Sequence, residues 1–192
     1  ICHLRSNRLK EAWQCVGKAL ELDATLPEAW CNKGILQQEL RRSKASIECF
    51  QKAVQLDPLF VSGWSNLGLS LKGEERYDEA VEAFEKALSL NPGHADSLNN
   101  LGATERERGN TTLALTYVRK ALQHNPTLPQ AYCNLGGIFQ DLGNIEEAIK
   151  AFQQAKIYQP DFPEPEVSLG LIQLAQGDFR SGWKCYEARK RS

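Results

Sequence analysis

Residues 64–92 read WSNLGLSLKGEERYDEAVEAFEKALSLNP, and this stretch contains two apolar patterns with helical spacing. In the first, Trp64, Leu67 and Leu71 recur every three or four residues, and in the second, Ala80 and Phe84 do the same. Such spacing places apolar side chains on one face of an amphipathic helix. A polar break at 73–78 separates the patterns, so the stretch predicts two helices joined by a short turn.

The same stretch returns every 34 residues along the chain, without insertion or deletion. Three aligned series show the period: Gly34, Gly68, Gly102, Gly136 and Gly170; Ala19, Ala53, Ala87, Ala121 and Ala155; Pro58, Pro92, Pro126 and Pro160. Glycine lowers helix propensity, which indicates that the paired helix approaches closely at that position. Each proline ends a second helix, since it cannot continue the hydrogen-bond ladder.

The repeat resembles the tetratricopeptide repeat family, whose signature residues stand here as Trp64, Leu67, Gly68, Ala80, Phe84, Ala87 and Pro92. The resemblance implies an all-α, right-handed superhelical solenoid of stacked antiparallel helix pairs. It divides a single array into a partial repeat at 1–26, full repeats at 27–60, 61–94, 95–128 and 129–162, and an incomplete or capping repeat at 163–192. Departures from the signature are Ser46, Gln37, Glu105 and Val118. We expect Trp64 and Phe84 to be buried between helices.

Composition argues against two classes of partner. The 192 residues include 23 basic and 24 acidic side chains, a net charge of −1, which does not favour nucleic acid as the main ligand. No window of 18 apolar residues predicts insertion into a membrane. The chain contains no Met and begins inside a predicted helix, so we expect it to be a piece of a longer polypeptide.

Six cysteines raise the question of disulfides or zinc, but their positions follow the repeat. Cys15, Cys49 and Cys185 share one repeat position, and Cys31 and Cys133 share another. Equivalent residues of packed helices lie about 8–10 Å apart, beyond the roughly 7 Å that a disulfide spans. There is no Cys-x-x-Cys pair and the three histidines are dispersed. We predict free thiols in a reducing, cytoplasmic compartment, with no metal and no cofactor.

No catalytic motif is present in the sequence. A phosphate-binding loop, a nucleophile elbow and a His-Glu-x-x-His motif are all missing, and Glu146-Glu147 stands where a helix begins. Asn110-Thr111-Thr112 fits a glycosylation sequon, but we interpret Asn110 as a turn or capping residue. We therefore predict that this segment is not an enzyme.

The resemblance implies that the first helices of the repeats line a concave groove. Asn32, Asn66, Asn100 and Asn134 occupy one repeat position on these helices. An amide offers both a donor and an acceptor, so a row of amides can pair with the backbone of an extended peptide. The alternative is that each Asn bonds a neighbouring helix. The row resembles that of the repeat arrays of protein O-linked N-acetylglucosaminyltransferases. The two-carboxylate clamp with which the tetratricopeptide family binds chaperone C-termini is not matched.

Other groove positions complete the predicted site: Lys72, Arg106, Gln38, Gln140 and Leu69. Over all projected groove positions, acidic residues outnumber these two cations: Glu28, Glu39, Asp96, Glu107, Asp141 and Glu164. This predicts a mildly acidic face with a basic spot and a mixed or slightly basic peptide as ligand. Leu69 has two interpretations, which are apolar contact with a ligand and ordinary packing between helices.

The segment 177–189 departs from the repeat, because Gly182 stands at the small-residue position and Trp183 follows it. It resembles the ending of bacterial tetratricopeptide arrays that precede a glycosyltransferase-like domain. The alternative is a last repeat whose Trp183 and Tyr186 cover the open end of the core.

We predict a protein–protein interaction module that holds an extended peptide or partner segment in its groove through the asparagine row. The alternative from another class is the substrate-recognition arm of a larger enzyme, most plausibly a glycosyltransferase with its catalytic domain C-terminal to Ser192. A purely structural scaffold is the third interpretation.

Overall fold

The computed structural model describes the backbone of residues 2–187 and 189, and side chains from Leu9 onward. Across these residues it contains eleven α-helices and no strand, which confirms the predicted all-α fold. The helices are α1 (Cys2–Leu22), α2 (Pro27–Glu39), α3 (Ser43–Leu56), α4 (Val61–Gly73), α5 (Tyr77–Leu90), α6 (Ala95–Glu107), α7 (Thr111–His124), α8 (Pro129–Asp141), α9 (Ile145–Tyr158), α10 (Pro163–Ala175) and α11 (Phe179–Tyr186).

The second helix of each pair ends where the prolines predicted. Helices α3, α5 and α7 end two residues before Pro58, Pro92 and Pro126. The residue between, such as Asp57 with φ −130° and ψ 97°, has an extended conformation. This follows from the clash of a proline ring with a helical residue before it.

The turn inside each helix pair uses one left-handed residue. Its φ is 84°, 76° and 87° at Gly109, Gly143 and Gly177, whereas Arg41 and Glu75 adopt the same conformation with φ of 56° and 59°. These five residues lie 34 apart in sequence, so the helix pairs share one turn geometry. Glycine takes this conformation at little cost, which explains its use in three of the turns.

The repeated glycine is the point of closest approach between the two helices of a pair. A Cβ atom at Gly68 would lie 2.7 Å from Cε1 of Phe84, and Gly34 and Gly136 meet Phe50 and Phe152 in the same way. These phenylalanine rings are almost completely buried, as predicted for Phe84. The close approach predicted from the glycines is therefore present.

The chain forms two compact units. Unit 1 (Ile1–Pro92) contains α1–α5, and unit 2 (Gly93–Ser192) contains α6–α11. Within unit 1, α2 packs on α3, α3 on α4, and α4 also lies alongside α2. Within unit 2, α6, α7 and α8 repeat this arrangement, and α9 packs on α10. The first helices of neighbouring repeats within a unit therefore form one side of it.

Trp64 is half-buried and not buried as expected. Its indole N–H donates to the carbonyl oxygen of Pro58 at 3.0 Å. Trp30 and Tyr132 make the equivalent bond to a carbonyl six residues earlier. The ring thus covers the turn between repeats, where water reaches part of it.

The C-terminal helix shows where Trp183 and Gly182 lie. Trp183 is 56% exposed and packs edge to face against the half-buried Tyr186. Gly182 is buried, and a Cβ there would lie 2.7 Å from Cγ of Leu174. Close packing of α10 on α11 explains the glycine.

Glu105 occupies an aromatic position of the repeat and is 3% exposed. Its carboxylate accepts hydrogen bonds from Nη1 of Arg108 at 2.7 Å and from Nδ2 of Asn110 at 2.6 Å. These bonds join the end of α6 to the residue that precedes α7. The amide nitrogen of the predicted sequon is therefore engaged within the protein, which agrees with its interpretation as a turn residue.

Candidate binding face

The side formed by the first helices is defined here as the first-helix face, made of α2 and α4 in unit 1 and of α6, α8 and α10 in unit 2. The four predicted asparagines lie on these helices, Asn32 exposed and the others half-buried. Each unit therefore carries one asparagine pair, Asn32 with Asn66 in unit 1 and Asn100 with Asn134 in unit 2.

Two of these amides bond the neighbouring first helix. In unit 1, Nδ2 of Asn66 donates to Sγ of Cys31 at 3.4 Å, and in unit 2, Nδ2 of Asn134 donates to Oδ1 of Asn99 at 2.8 Å. The acceptor stands 35 residues before the donor in both cases. A carboxamide has two N–H donors and one acceptor oxygen, so each of these bonds uses only part of its capacity.

In unit 1, the predicted residue Gln38 bonds across the face to α4. Its Nε2 donates to Oγ of Ser70 at 2.8 Å, and Ser70 also accepts from the hydroxyl of the fully buried Ser46 at 3.3 Å. Leu69 and Ile35 are 41% and 40% exposed on the same face. Packing between helices therefore covers neither side chain completely.

The predicted cation Lys72 is half-buried at the C-terminal end of α4 and has interactions of its own. It occupies the same repeat position as Gln38, Arg106 and Gln140. One repeat position therefore supplies the long polar side chains of the face in both units.

In unit 2, Arg106 forms a bidentate ion pair with Asp141. Its Nε donates to Oδ2 at 2.5 Å and its Nη2 to Oδ1 at 3.1 Å, which links α6 to the end of α8. Hydrogen bonding to Asp141 raises the pKa of Arg106 above its ordinary value. The positive charge predicted at this point of the face is consequently compensated.

A cavity of about 470 Å³ opens beside this ion pair. Among the residues that line it are Arg106, Cys133, Gly137, Gln140, Glu164 and Ser168. Burial, followed by the negative charge of Glu164, raises the pKa of Cys133 to about 12. The thiol is therefore neutral, and it lies 3.9 Å from Oε2 of Glu164 as a weak donor.

Neither a metal site nor a membrane span is found in the part of the chain that the structure describes. No group of three or more His, Cys, Asp or Glu side chains there is arranged to hold a metal ion. None of the helices there combines the length and the apolar character needed to cross a bilayer. Cys15, Cys31, Cys49, Cys133 and Cys185 have free thiols, and the side chain of Cys2 lies outside the described residues.

Sequence models described as tetratricopeptide repeat match residues 60–127 and, separately, residues 27–60 and 129–162. The chain belongs to the tetratricopeptide repeat family. Domains of this family are generally protein–protein interaction modules. No curated protein matches the chain.

Solved structures share the fold at low sequence identity. The anaphase-promoting complex hetero-tetramer Cut9–Hcn1 matches with a TM-score of 0.88 and 19% identity over 95% of this chain and 36% of that chain. The type IV pilus biogenesis factor PilW matches with a TM-score of 0.81 and 23% identity over 97% and 86% of the two chains. YrrB, described as a repeat protein with an unusual peptide-binding site, matches with a TM-score of 0.61 and 21% identity over 90% of this chain and 89% of that chain.

Sequence reasoning missed the partners of the predicted residues. Cys31 and Asn99 were not recognised as acceptors for amides, and Asp141 was not recognised as the partner of Arg106. All three pairs are separated by 35 residues, one more than the repeat. A search for complementary polar residues at that separation would have found them.

Proposed function

We propose that the chain is a protein-interaction module in which the first-helix face of each unit binds an extended segment of a partner protein. The asparagine pair of each unit pairs with the backbone of that segment. Gln38, Leu69 and Lys72 add side-chain contacts in unit 1, and Arg106 and Gln140 do so in unit 2.

The observation that carries this proposal is the hydrogen bond from Asn66 and Asn134 to the neighbouring first helix. Because this bond fixes the plane of the amide, the remaining donor and acceptor have a defined direction before any ligand arrives. A side chain that is already ordered loses less conformational entropy on binding. The same bonds are what the alternative interpretation of the row predicts for Asn66 and Asn134. What supports a role in binding is the second N–H and the carbonyl oxygen that each of these bonds leaves to a ligand.

Charge favours a mixed or slightly basic segment. Asp141 compensates Arg106, while Asp96 and Glu164 remain exposed carboxylates on the first helices of unit 2. Complementary charge accelerates encounter and selects among partners more than it adds affinity. In unit 1, the exposed Ile35 and Leu69 supply apolar contact for the same segment.

A randomised library of 15-residue peptides displayed on phage provides the test. A selected peptide, synthesised and titrated into the ¹⁵N-labelled chain, should shift amide resonances of α2 and α4 or of α6, α8 and α10. Resonances of the second helices, α3, α5, α7 and α9, should move much less. Failure to select any binding peptide, or shifts confined to the second helices, would contradict the proposal.

A second candidate function is the substrate-recognition arm of a glycosyltransferase. Phe179 and Trp183, one turn apart on α11, are 64% and 56% exposed, which favours contact with a further domain. Asp178 caps α11 by accepting from the backbone N–H of Ser181, so part of the C-terminal motif has a local explanation. A glycosyltransferase domain encoded after Ser192 would support this candidate, and a reading frame without one would remove it.

A further inference from the structure

We propose that Gly137 is a positioning residue of the first-helix face in unit 2. Because it has no side chain, the Arg106–Asp141 ion pair lies flat across α8, and the adjacent cavity stays open for one side chain of the bound segment. The inference rests on the proposed function and identifies the pocket that the segment fills.

The space above Gly137 is taken by the guanidinium group of Arg106. A Cβ atom built on Gly137 would lie 2.7 Å from Cζ of Arg106 and nearer still to Nη1. Such distances are far shorter than any van der Waals contact, so a side chain at position 137 requires the guanidinium to move. Asp141, one turn further along the same helix, holds that group from its other edge.

A shared lining connects the glycine to the cavity. Arg106 and Gly137 both line it, so a side chain at position 137 and the guanidinium that it displaces compete for the volume beside them. The equivalent residues of the other repeats are Ile35, Leu69, Ala103 and Leu171, all larger than glycine. Among these equivalent positions, glycine is therefore particular to the repeat that contains α8.

The lining of the cavity indicates what it accepts. The lining contains two cations, Arg106 and Arg189, and one carboxylate, Glu164. Asp141, outside the lining, pairs with Arg106, so the formal charges of these four groups balance. Gln140 and Ser168 supply neutral donors and acceptors. A side chain with an amide or hydroxyl group, such as Gln, Asn, Ser or Thr, fits this balance better than a charged one.

Parallel selections of the phage library against the wild-type chain and Gly137→Ala test the pocket. Wild-type selection should enrich Asn, Gln, Ser or Thr at one position of peptides that shift α8 resonances, and Gly137→Ala should lose this enrichment. The affinity of such a peptide should fall about tenfold, as expected for one well-placed contact. The matched control is Gly73→Ala, where a Cβ meets nothing within 4 Å and affinity should not change.

Two further measurements separate positioning from a merely structural effect. Alanine favours a helix interior over glycine, so Gly137→Ala should not lower the melting temperature. In an Arg106→Ala background, Gly137→Ala should change affinity less than twofold, because the group that it displaces is gone. In the free protein, the Nε–H resonance of Arg106 should be protected from exchange and should lose protection in Gly137→Ala.

Three results would contradict the proposed role of Gly137. The first is unchanged enrichment and affinity in Gly137→Ala, and the second is a charged residue enriched at the selected position. The third is an effect of Gly137→Ala that persists without Arg106. If no peptide binds the wild type, or if peptides shift only resonances of unit 1, the cavity is not a side-chain pocket for the bound segment. The absence of any binder also removes the proposed function, whereas the Arg106 resonance still decides whether Gly137 positions the guanidinium.

Discussion

At the scale of single residues, Gly68 and Gly73 lie in the same helix with opposite surroundings. A Cβ on Gly68 meets the buried ring of Phe84, whereas one on Gly73 meets nothing within 4 Å. Overpacking costs about 1–3 kcal/mol, and replacing helical glycine by alanine gains about 1 kcal/mol. Gly68→Ala should therefore lower, and Gly73→Ala raise or preserve, the free energy of unfolding in urea. Changes of the same sign would contradict this packing.

Cys133 provides a residue-scale prediction about pH. With a pKa of about 12, its thiolate fraction at pH 8 is on the order of one in ten thousand, so iodoacetamide should label it far more slowly than the exposed Cys15. Between the ordinary thiol pKa of about 8.5 and 12, the native state binds more protons than the unfolded state. The contribution of Cys133 to the free energy of unfolding should therefore be constant below about pH 8.5 and should fall as the pH rises from there towards about 12.

Peptide mapping by mass spectrometry measures this labelling site by site. Cys133 should become reactive when the chain is denatured in urea at the same pH. Equal labelling rates of Cys133 and Cys15 in the folded chain would show that the thiol is not desolvated.

At the scale of helices and turns, the sequence predicts where elements end but not which polar groups meet between them. Each Asp-Pro or Asn-Pro pair ends a helix through a local steric clash. The helix ends at Asp57 and Asn91 are therefore predictable without knowledge of tertiary contacts. The bond from Asn66 to Cys31 depends on the distance between two separate helices. For the same reason, the sequence identified Arg106 as a cation without revealing that Asp141 holds it.

Glu105 gives the element-scale prediction. Glu105→Ala removes a buried acceptor of two hydrogen bonds and leaves the Asn110 amide without its partner, which should cost about 1–3 kcal/mol. The control is Glu79→Ala, because the ion pair of Glu79 with Arg76 is exposed and screened by solvent. Urea unfolding should show a clear loss for the first variant and little change for the second. An equal effect of both would contradict a structural role for the buried carboxylate.

At the scale of the whole molecule, stability is distributed over repeats and their nearest-neighbour contacts. Phe84→Ala empties a fully buried site in unit 1 and should cost about 3–5 kcal/mol. Hydrogen exchange, followed by mass spectrometry, should accelerate most in α4 and α5, while α8 and α9 in unit 2 keep most of their protection. A uniform acceleration of hydrogen exchange from α1 to α11 would instead show that the chain unfolds as one cooperative unit.

The central claim is that the asparagine pairs bind the backbone of a partner segment. Isothermal titration of a library-selected peptide should compare the wild type with Asn32→Ala/Asn66→Ala and with Asn100→Ala/Asn134→Ala. The control, Gln51→Ala/Gln153→Ala, removes one exposed amide from a second helix of each unit.

Each asparagine should contribute about 0.5–1.5 kcal/mol through hydrogen bonds to the ligand. The pair variant in the unit that binds the peptide should therefore lose roughly five- to a hundredfold in affinity, by a similar factor for peptides of different sequence, while the control changes little. Should the asparagine variants bind every peptide as tightly as the control does, while Asn66→Ala and Asn134→Ala only lower the free energy of unfolding, the amides are packing residues and the proposed mode of binding is wrong.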